Sequence, residues 1–267
     1  MMLPVPYLWL PPEKPAIIRP MDALQRAMLA LVGGTLLAGQ PAVGGAGPTP
    51  TVRASFPSDV YNSGSTGTMM GAGIGLPSGH TTNDILVYVF SGWRGGDLPH
   101  ISAPSGYTQI FSLLSQAGMA AWWKRDGGSE SAQTIGITDS FTLGAAFVFA
   151  VTGCVTSGTP YEGLQTAQDL SVAPNVTTTN SNRLLMDFHG GGSASPAQIG
   201  TGDAASSGWT KQKEVANATD SASSCGVLMQ TKSAPSSGSQ TMPSLTLSGA
   251  SGGSQTAALA WLPNPSS

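Results

Sequence analysis

Beyond residue 50 the chain is a succession of short apolar runs set between clusters of Gly, Pro, Asn and Ser, and no stretch keeps a helical period for three turns. Runs such as Ile85 to Phe90 and Ala145 to Val151 have the length of single strands, and the clusters between them supply turn chemistry. This pattern predicts an all-β sandwich or barrel. One earlier segment reads differently. Residues 22–38, DALQRAMLALVGGTLLA, place Leu24, Met28 and Leu31 on one helical face, with Asp22 at the cap and Gly33-Gly34 where the short helix ends.

The strand runs repeat. Asn83-Asp84-Ile85-Leu86-Val87-Tyr88 has a counterpart in Asn182-Arg183-Leu184-Leu185-Met186-Asp187, and Pro104-Ser105-Gly106-Tyr107-Thr108 in Ser206-Ser207-Gly208-Trp209-Thr210. Gly118-Met119-Ala120-Ala121 matches Cys225-Gly226-Val227-Leu228-Met229 around a shared glycine, and Gly128-Ser129-Glu130 matches Gly238-Ser239-Gln240. Ala145-Ala146-Phe147-Val148-Phe149 matches Ala257-Ala258-Leu259-Ala260-Trp261. The order is the same in both halves, and the offset grows from 99 to 112. A strand module cannot bury its apolar face alone. Two modules, about 75–155 and 175–264, are therefore expected to pack face to face as a jelly-roll-like β-sandwich within residues 51–267.

Residues 1–20, MMLPVPYLWLPPEKPAIIRP, hold six prolines, which exclude a helix and leave an extended chain near polyproline II. Leu3, Val5, Tyr7, Leu8, Trp9, Leu10, Ile17 and Ile18 would be costly to leave in water. A stiff, extended, apolar segment fits a groove on another protein, because a preformed chain loses little entropy on docking. These eight residues are the candidate anchoring site. The competing reading is an export signal, with Arg19 and Arg26 ahead of the apolar run 27–38, but a long proline-rich leader is foreign to a signal. That run is also too short for a membrane span, which needs about 20 apolar residues. Residues 39–50, GQPAVGGAGPTP, read as a Gly/Pro linker, so the arm is 1–50 and the outer domain 51–267.

Composition sharpens this picture. Charged residues make up 9% of the chain, against about 25% in an ordinary soluble protein. Glycines and short hydroxyl and amide side chains take their place, a style common in secreted and virion β-proteins. The net charge is −3 and the 11 Lys and Arg form no basic stripe, so no nucleic-acid partner is expected.

Catalytic signatures are missing: there is no GxSxG, HExxH, CxxC or P-loop pattern. Cys154 and Cys225 read as buried free thiols, with a single disulfide as the alternative. His80, His100 and His189 share no spacing and read as surface or turn residues. Asp97, Asp126, Asp139, Asp169, Asp187 and Asp203 read mostly as turn formers, not as the paired carboxylates of a glycosidase. No catalytic residue, metal or cofactor is assigned, and the chain is expected not to be an enzyme. Trp122 and Trp123 are neighbours on one strand, so one enters the core and the other faces outward or meets a subunit. Trp93 and Arg94, in Ser91-Gly92-Trp93-Arg94-Gly95-Gly96, read as a loop whose ring and cation are open to a ligand.

The order Asp84-Ile85-Leu86-Val87, Pro104-Ser105-Gly106-Tyr107-Thr108, Trp122-Trp123-Lys124-Arg125, Gly128-Ser129-Glu130 resembles a jelly-roll family of tailed-bacteriophage virion proteins, whose pattern reads GDLLV, PxGWT, YR/K, GSE. The likeness spans most of residues 75–264. Asn83 stands where the family usually has Gly, and Tyr107 where it usually has Trp; both departures touch packing, not chemistry. The resemblance implies a head decoration protein, head fibre or tail fibre on the particle exterior. The expected partners are other virion proteins, capsid or tail subunits, reached through residues 1–40, and further copies of the chain in a homo-oligomer. A glycan-binding adhesin or receptor-binding domain, taking host surface glycan, is the alternative. A secreted bacterial enzyme ranks third.

Overall fold

The computed structural model describes residues 47–62, 67–93, 101–113, 117–137, 143–168, 174–193, 202–218, 223–245, 247–250 and 253–265. All belong to one unit, Gly44–Ser267. The expected helix over 22–38 and the eight anchoring residues of the arm lie outside the described residues. Within them the chain is all-β and contains no helix.

The first half runs β1 (Thr51–Val52), β2 (Ser58–Asn62), β3 (Gly67–Ile74), β4 (Ile85–Trp93), β5 (Ile101–Ser102), β6 (Thr108–Leu113), β7 (Ala117–Arg125), β8 (Gln133–Ile137) and β9 (Leu143–Thr152). The second runs β10 (Tyr161–Gln168), β11 (Val176–Thr178), β12 (Arg183–Ser193), β13 (Thr210–Asn217), β14 (Ser224–Ala234), β15 (Gly238–Gln240) and β16 (Ser254–Trp261). One large sheet has the order β1-β9-β4-β7-β6, with β2 also on β9; the other has the order β10-β16-β12-β14-β13. Two small sheets, β3-β8-β5 and β11-β15, complete the set. The same path is traced twice.

The ladders fix the correspondence residue by residue. Gly92 pairs with Gly118 and Gly144, while Gly191 pairs with Gly226 and Ser254. Each half even carries a register shift at the same place, between Gln109 and Phe111 in β6 and between Lys211 and Lys213 in β13. Two of the sequence matches shift under this test. Phe147, paired with Val89, stands where Ala257 pairs with Phe188, two residues from the alignment read off the sequence. A slip of two leaves every side chain on its own face, so the apolar pattern could not detect it. Gly128 lies in a turn beyond β7, whereas Gly238 already opens β15, so that match is not structural.

The turns repeat with the strands. Asn83 (φ 74°) and Asn182 (φ 59°) are the two non-glycine residues with positive φ among those described, and each stands two residues before the first large apolar residue of its central strand. Asparagine tolerates the left-handed region that β-branched and bulky residues avoid, which is why it can stand at both positions. In the Gly-aromatic-Thr turns, Gly106 and Gly208 both have φ 77°. Tyr107 N donates to Pro104 O at 3.1 Å, and Trp209 N to Ser206 O at 2.9 Å. These are the i to i+3 bonds of turns that need glycine at the third position.

The large sheets bury their inner faces against each other in a sandwich-like core. Val87, Val89, Phe147 and Phe149 of the first meet Met186, Phe188, Val227 and Leu259 of the second. Phe188 lies 5.6 Å from Phe111 and 6.4 Å from Phe149, ring centre to ring centre. Contacts come in matched pairs: β12 touches β7 as β4 touches β14, and β10 touches β6 as β2 touches β13. Such reciprocity is that of a pseudo-two-fold relation between the halves. The outer face of the first sheet is covered too. Leu86, Tyr88, Phe90, Trp122 and Val148 pack with Ile74 and Ile135 of β3 and β8. A sheet buried on both faces reads as unbroken apolar sequence, which accounts for the runs 85–90 and 145–151.

Trp122 and Trp123 do point to opposite faces. Trp122 belongs to the outer cluster, and Trp123 packs half-buried at the border of the inter-sheet core. Tyr107 is buried, while Trp209 is only half-buried beside the outer cluster of the second sheet. Cys154 and Cys225 are free and buried. Burial pushes the Cys154 thiol up to about 12 and the Cys225 thiol higher still, so both stay protonated and unreactive.

Candidate functional site: a buried polar patch on the second sheet

Trp93 does not sit in an open loop. It closes β4, is 4% exposed, and packs in the core between the sheets. Its partner in the expected ligand loop, Arg94, lies outside the described residues, as do the anchoring residues Leu3, Val5, Tyr7, Leu8, Trp9, Leu10, Ile17 and Ile18. The apolar run before Trp93 continues the strand through Ser91 and Gly92, two residue types common in turns that gave the segment its loop-like look.

A different cluster emerges when the two large sheets are compared position by position. On the outer face of the first, Tyr88 pairs with Trp122 and Val148, and Phe90 with Ala120 and Ala146. The same positions in the second are Asp187, pairing with Gln230 and Ala258, and His189, pairing with Leu228 and Thr256. Tyr88, Phe90, Trp122 and Ala146 are thus replaced by Asp187, His189, Gln230 and Thr256. The burial is unchanged: the four polar residues are between 0% and 2% exposed. Placing polar groups where the sister sheet keeps apolar ones costs free energy unless each is satisfied.

They are satisfied in part. His189 Nε2 lies 2.6 Å from Asp187 Oδ2, and Gln230 Nε2 donates to the same oxygen at 2.8 Å. Gln230 Oε1 accepts the Ser206 amide at 2.9 Å, which ties the patch to the turn before β13. Three buried atoms lack a partner: Asp187 Oδ1, His189 Nδ1 and Thr256 Oγ1. Two loops lie over this end of the sheet. Asp203 accepts from the amide and hydroxyl of Ser248, joining the segment before β13 to the segment before β16. Ala250 presses on Gly191 so closely that a Cβ there would fall 2.9 Å from the alanine methyl.

The chemistry follows from the hydrogen bonds. An ionised Asp187 accepts at Oδ2, so Nε2 carries the imidazole proton and Nδ1 is left as a buried lone pair. That lone pair points away from the Nε2–Oδ2 bond. Among the described residues no group of three His, Cys, Asp or Glu side chains could hold a metal. Thr256 is the ladder partner of His189, so an ordered water between Nδ1 and the Thr256 hydroxyl would satisfy both atoms.

Sequence reasoning placed Asp187 among turn formers and His189 among surface or turn residues; both are interior strand residues. The repeat held the missing signal, since the sister run Ile85 to Phe90 is apolar where Leu184 to His189 is not. Histidine at position 80 is a looser case, lying 2.6 Å from the buried carboxylate of Asp126 with its own ring part-exposed. Among the described residues no helix is long and apolar enough to cross a membrane. No family model, curated protein or solved structure matches the chain.

Proposed function

We propose that this chain is a structural protein of a bacteriophage particle, displaying its β domain on the exterior and held to capsid or tail subunits by the N-terminal arm. The observation that carries the reading is the strand path. Within each half the paths β2-β9-β4-β7 beside β3-β8-β5, and β10-β16-β12-β14 beside β11-β15, follow the way a jelly roll shares its strands between two sheets, while β6 and β13 extend the large sheets instead of joining the small ones. The jelly-roll unit is then each half, and the domain is a tandem pair joined through their larger sheets. Jelly rolls are building units of viral capsids. The residues of the virion-protein pattern stand at the framework points of this path: the left-handed Asn83, the Gly106 turn, the paired strands β4 and β7. Burial of Trp93 removes the exposed ring on which the glycan-binding alternative rested.

The arm supplies the test. Deleting residues 1–20 is expected to leave a folded β domain that no longer co-purifies with particles, as followed by mass spectrometry of banded virions. Incorporation of the truncated chain at normal copy number would overturn the anchoring role. Absence of the full chain from the particles would overturn the virion reading itself.

A further inference from the structure

The first strands of the two halves are tied to their central strands by ion pairs of opposite sense. Arg53 follows β1, its amide donating to Ala150 O of β9, and its Nε lies 2.6 Å from Asp84 Oδ2. In the second half Glu162 of β10 pairs in the ladder with Ala260 of β16, the counterpart of Ala150, and accepts from Arg183 Nε at 2.6 Å. Asp84 and Arg183 are themselves counterparts, each next to its left-handed asparagine. A nearby threonine joins both pairs: Thr81 donates its amide to Asp84 at 2.8 Å, and Thr179 its amide to Glu162 at 3.1 Å. Both carboxylates and Arg183 are largely shielded from water, with side chains 3%, 17% and 7% exposed for Asp84, Glu162 and Arg183. The geometry is the same and the charges are exchanged.

A competing structure gives the exchange a purpose. Strand β10 begins at Tyr161, only one loop beyond the end of β9 at Thr152, yet it pairs with β16, which begins at Ser254. The local alternative is a β9–β10 hairpin. Consecutive strands usually pair, and local contacts form before distant ones. In such a hairpin β10 would take the place of β1 on β9 with the same antiparallel sense, putting Tyr161 opposite Val151 and Glu162 beside Ala150. Glu162 would then face Asp84, carboxylate against carboxylate. The converse error, β1 on β16, would set Arg53 against Arg183. Each wrong pairing brings like charges together, and each right pairing joins opposite ones.

We propose that the reversed charge sense of Arg53–Asp84 and Glu162–Arg183 assigns each first strand to its own sheet and bars β10 from closing a local hairpin on β9. The link between the halves acts in the same direction. Val155 N donates to Leu262 O and Asn264 N to Gly153 O, while Arg125 Nη1 donates to Val155 O at 2.5 Å. The two bonds to Leu262 and Asn264 hold the 153–160 segment against the end of β16 only once the second half has formed, whereas the Arg125 bond joins that segment to β7 and needs the first half alone. The charges can act earlier, as soon as β4 lies beside β9 and β10 competes with β1 for the free edge of β9.

Copying one half's pair into the other separates this role from ordinary ion pairing. The full chain carrying Glu162→Arg with Arg183→Asp keeps an opposite pair in each half, but both pairs now have the same sense. The guanidinium introduced on β10 would then be attracted to Asp84 in the wrong hairpin. Arg53→Glu with Asp84→Arg does the reverse. Both double variants are expected to keep a urea midpoint close to that of the parent, while the ratio of native to misfolded chains on refolding falls about fivefold, the factor set by removing a like-charge penalty of about 1 kcal/mol from the competitor. The quadruple variant, with both pairs exchanged, is expected to recover the parental ratio. A parental ratio in the two double variants overturns the proposal. So does a quadruple variant that refolds no better than they do, or that fails to fold, because the pairs would then not be interchangeable.

Discussion

Trp93 and Gly192 hold the same position in the two halves, and they meet. Gly192 pairs with Cys225 as Trp93 pairs with Ala117, and a Cβ on Gly192 would fall onto the Trp93 ring, touching Cε3 and lying 3.0 Å from Cδ2. Residues that face their own counterpart lie close to the axis relating the halves. Only one of the two positions can be large there.

Gly192→Ala is therefore expected to destabilise the domain by about 1–3 kcal/mol, the usual cost of forcing atoms into a packed core. Trp93→Ala opens a cavity and is expected to cost about 3–5 kcal/mol. Chemical denaturation of the single and double variants gives the coupling. Trp93→Ala with Gly192→Ala should lose clearly less than the sum of the singles. Strict additivity would mean that ring and backbone do not share the space.

The buried pair of Asp187 and His189 makes a prediction of different sign for single and double changes. Removing one member strands the other in the interior, so His189→Ala or Asp187→Ala is expected to cost about 3–5 kcal/mol. Installing the sister residues together, Asp187→Tyr with His189→Phe, Gln230→Trp and Thr256→Ala, removes the three orphaned atoms of the patch at the cost of the Ser206 amide's acceptor. This fourfold variant should be more stable than either single alanine variant in urea unfolding. If it proves the least stable of the set, the polar residues are required by the loops above them.

These cases show what was legible in advance. Strand composition, the order of the repeat and the two glycine turns lay open in the sequence, because each depends on local residue chemistry: positive φ at Gly106 and Gly208, short apolar runs, turn clusters. The two-residue slip at Phe147 and Ala257 did not, since period-two patterning is blind to it. Trp93 was misplaced because Ser91 and Gly92 imitate a loop when the second sheet that covers them is unknown. His189 was overlooked for the same reason: burial on the outer face comes from loops distant in sequence, the segments around Asp203 and Ser248.

Acid should weaken the first half through Asp84. Burial alone would raise its carboxyl, but hydrogen bonds from Arg53, the Thr81 amide and Thr152, with the Arg53 charge, bring it below its ordinary value of 3.8. A carboxylate whose folded pKa is depressed adds stability that is fully present above the unfolded value and is lost as pH falls through the folded one. The contribution should hold at neutral pH and fade below about pH 4. Asp84→Asn is expected to flatten that part of the stability profile measured by urea midpoints from pH 7 to pH 2. An unchanged acid limb would assign the loss to other carboxylates.

The left-handed asparagines give the sharpest check that the halves are built alike. Asn83 and Asn182 end the approach to β4 and β12 with φ 74° and 59°, a region in which a residue with an ordinary side chain pays roughly 1–2 kcal/mol. At position 83 the backbone amide donates to Asp126 O at 2.9 Å, a bond any residue but proline can make. The side chain's value there is thus its tolerance of the conformation. Asn83→Gly is expected to be close to neutral, and Asn83→Ala to cost about 1–2 kcal/mol. At position 182 the side chain also donates Nδ2 to Gly47 O at 3.3 Å, so Asn182→Gly should lose a little where Asn83→Gly loses nothing. Alanine should rank below glycine at both sites when thermal and urea midpoints are compared. Equal stability of the alanine and glycine variants at position 83 would show that the left-handed turn is not what selects asparagine, and the shared logic of the two halves at this turn would fall with it.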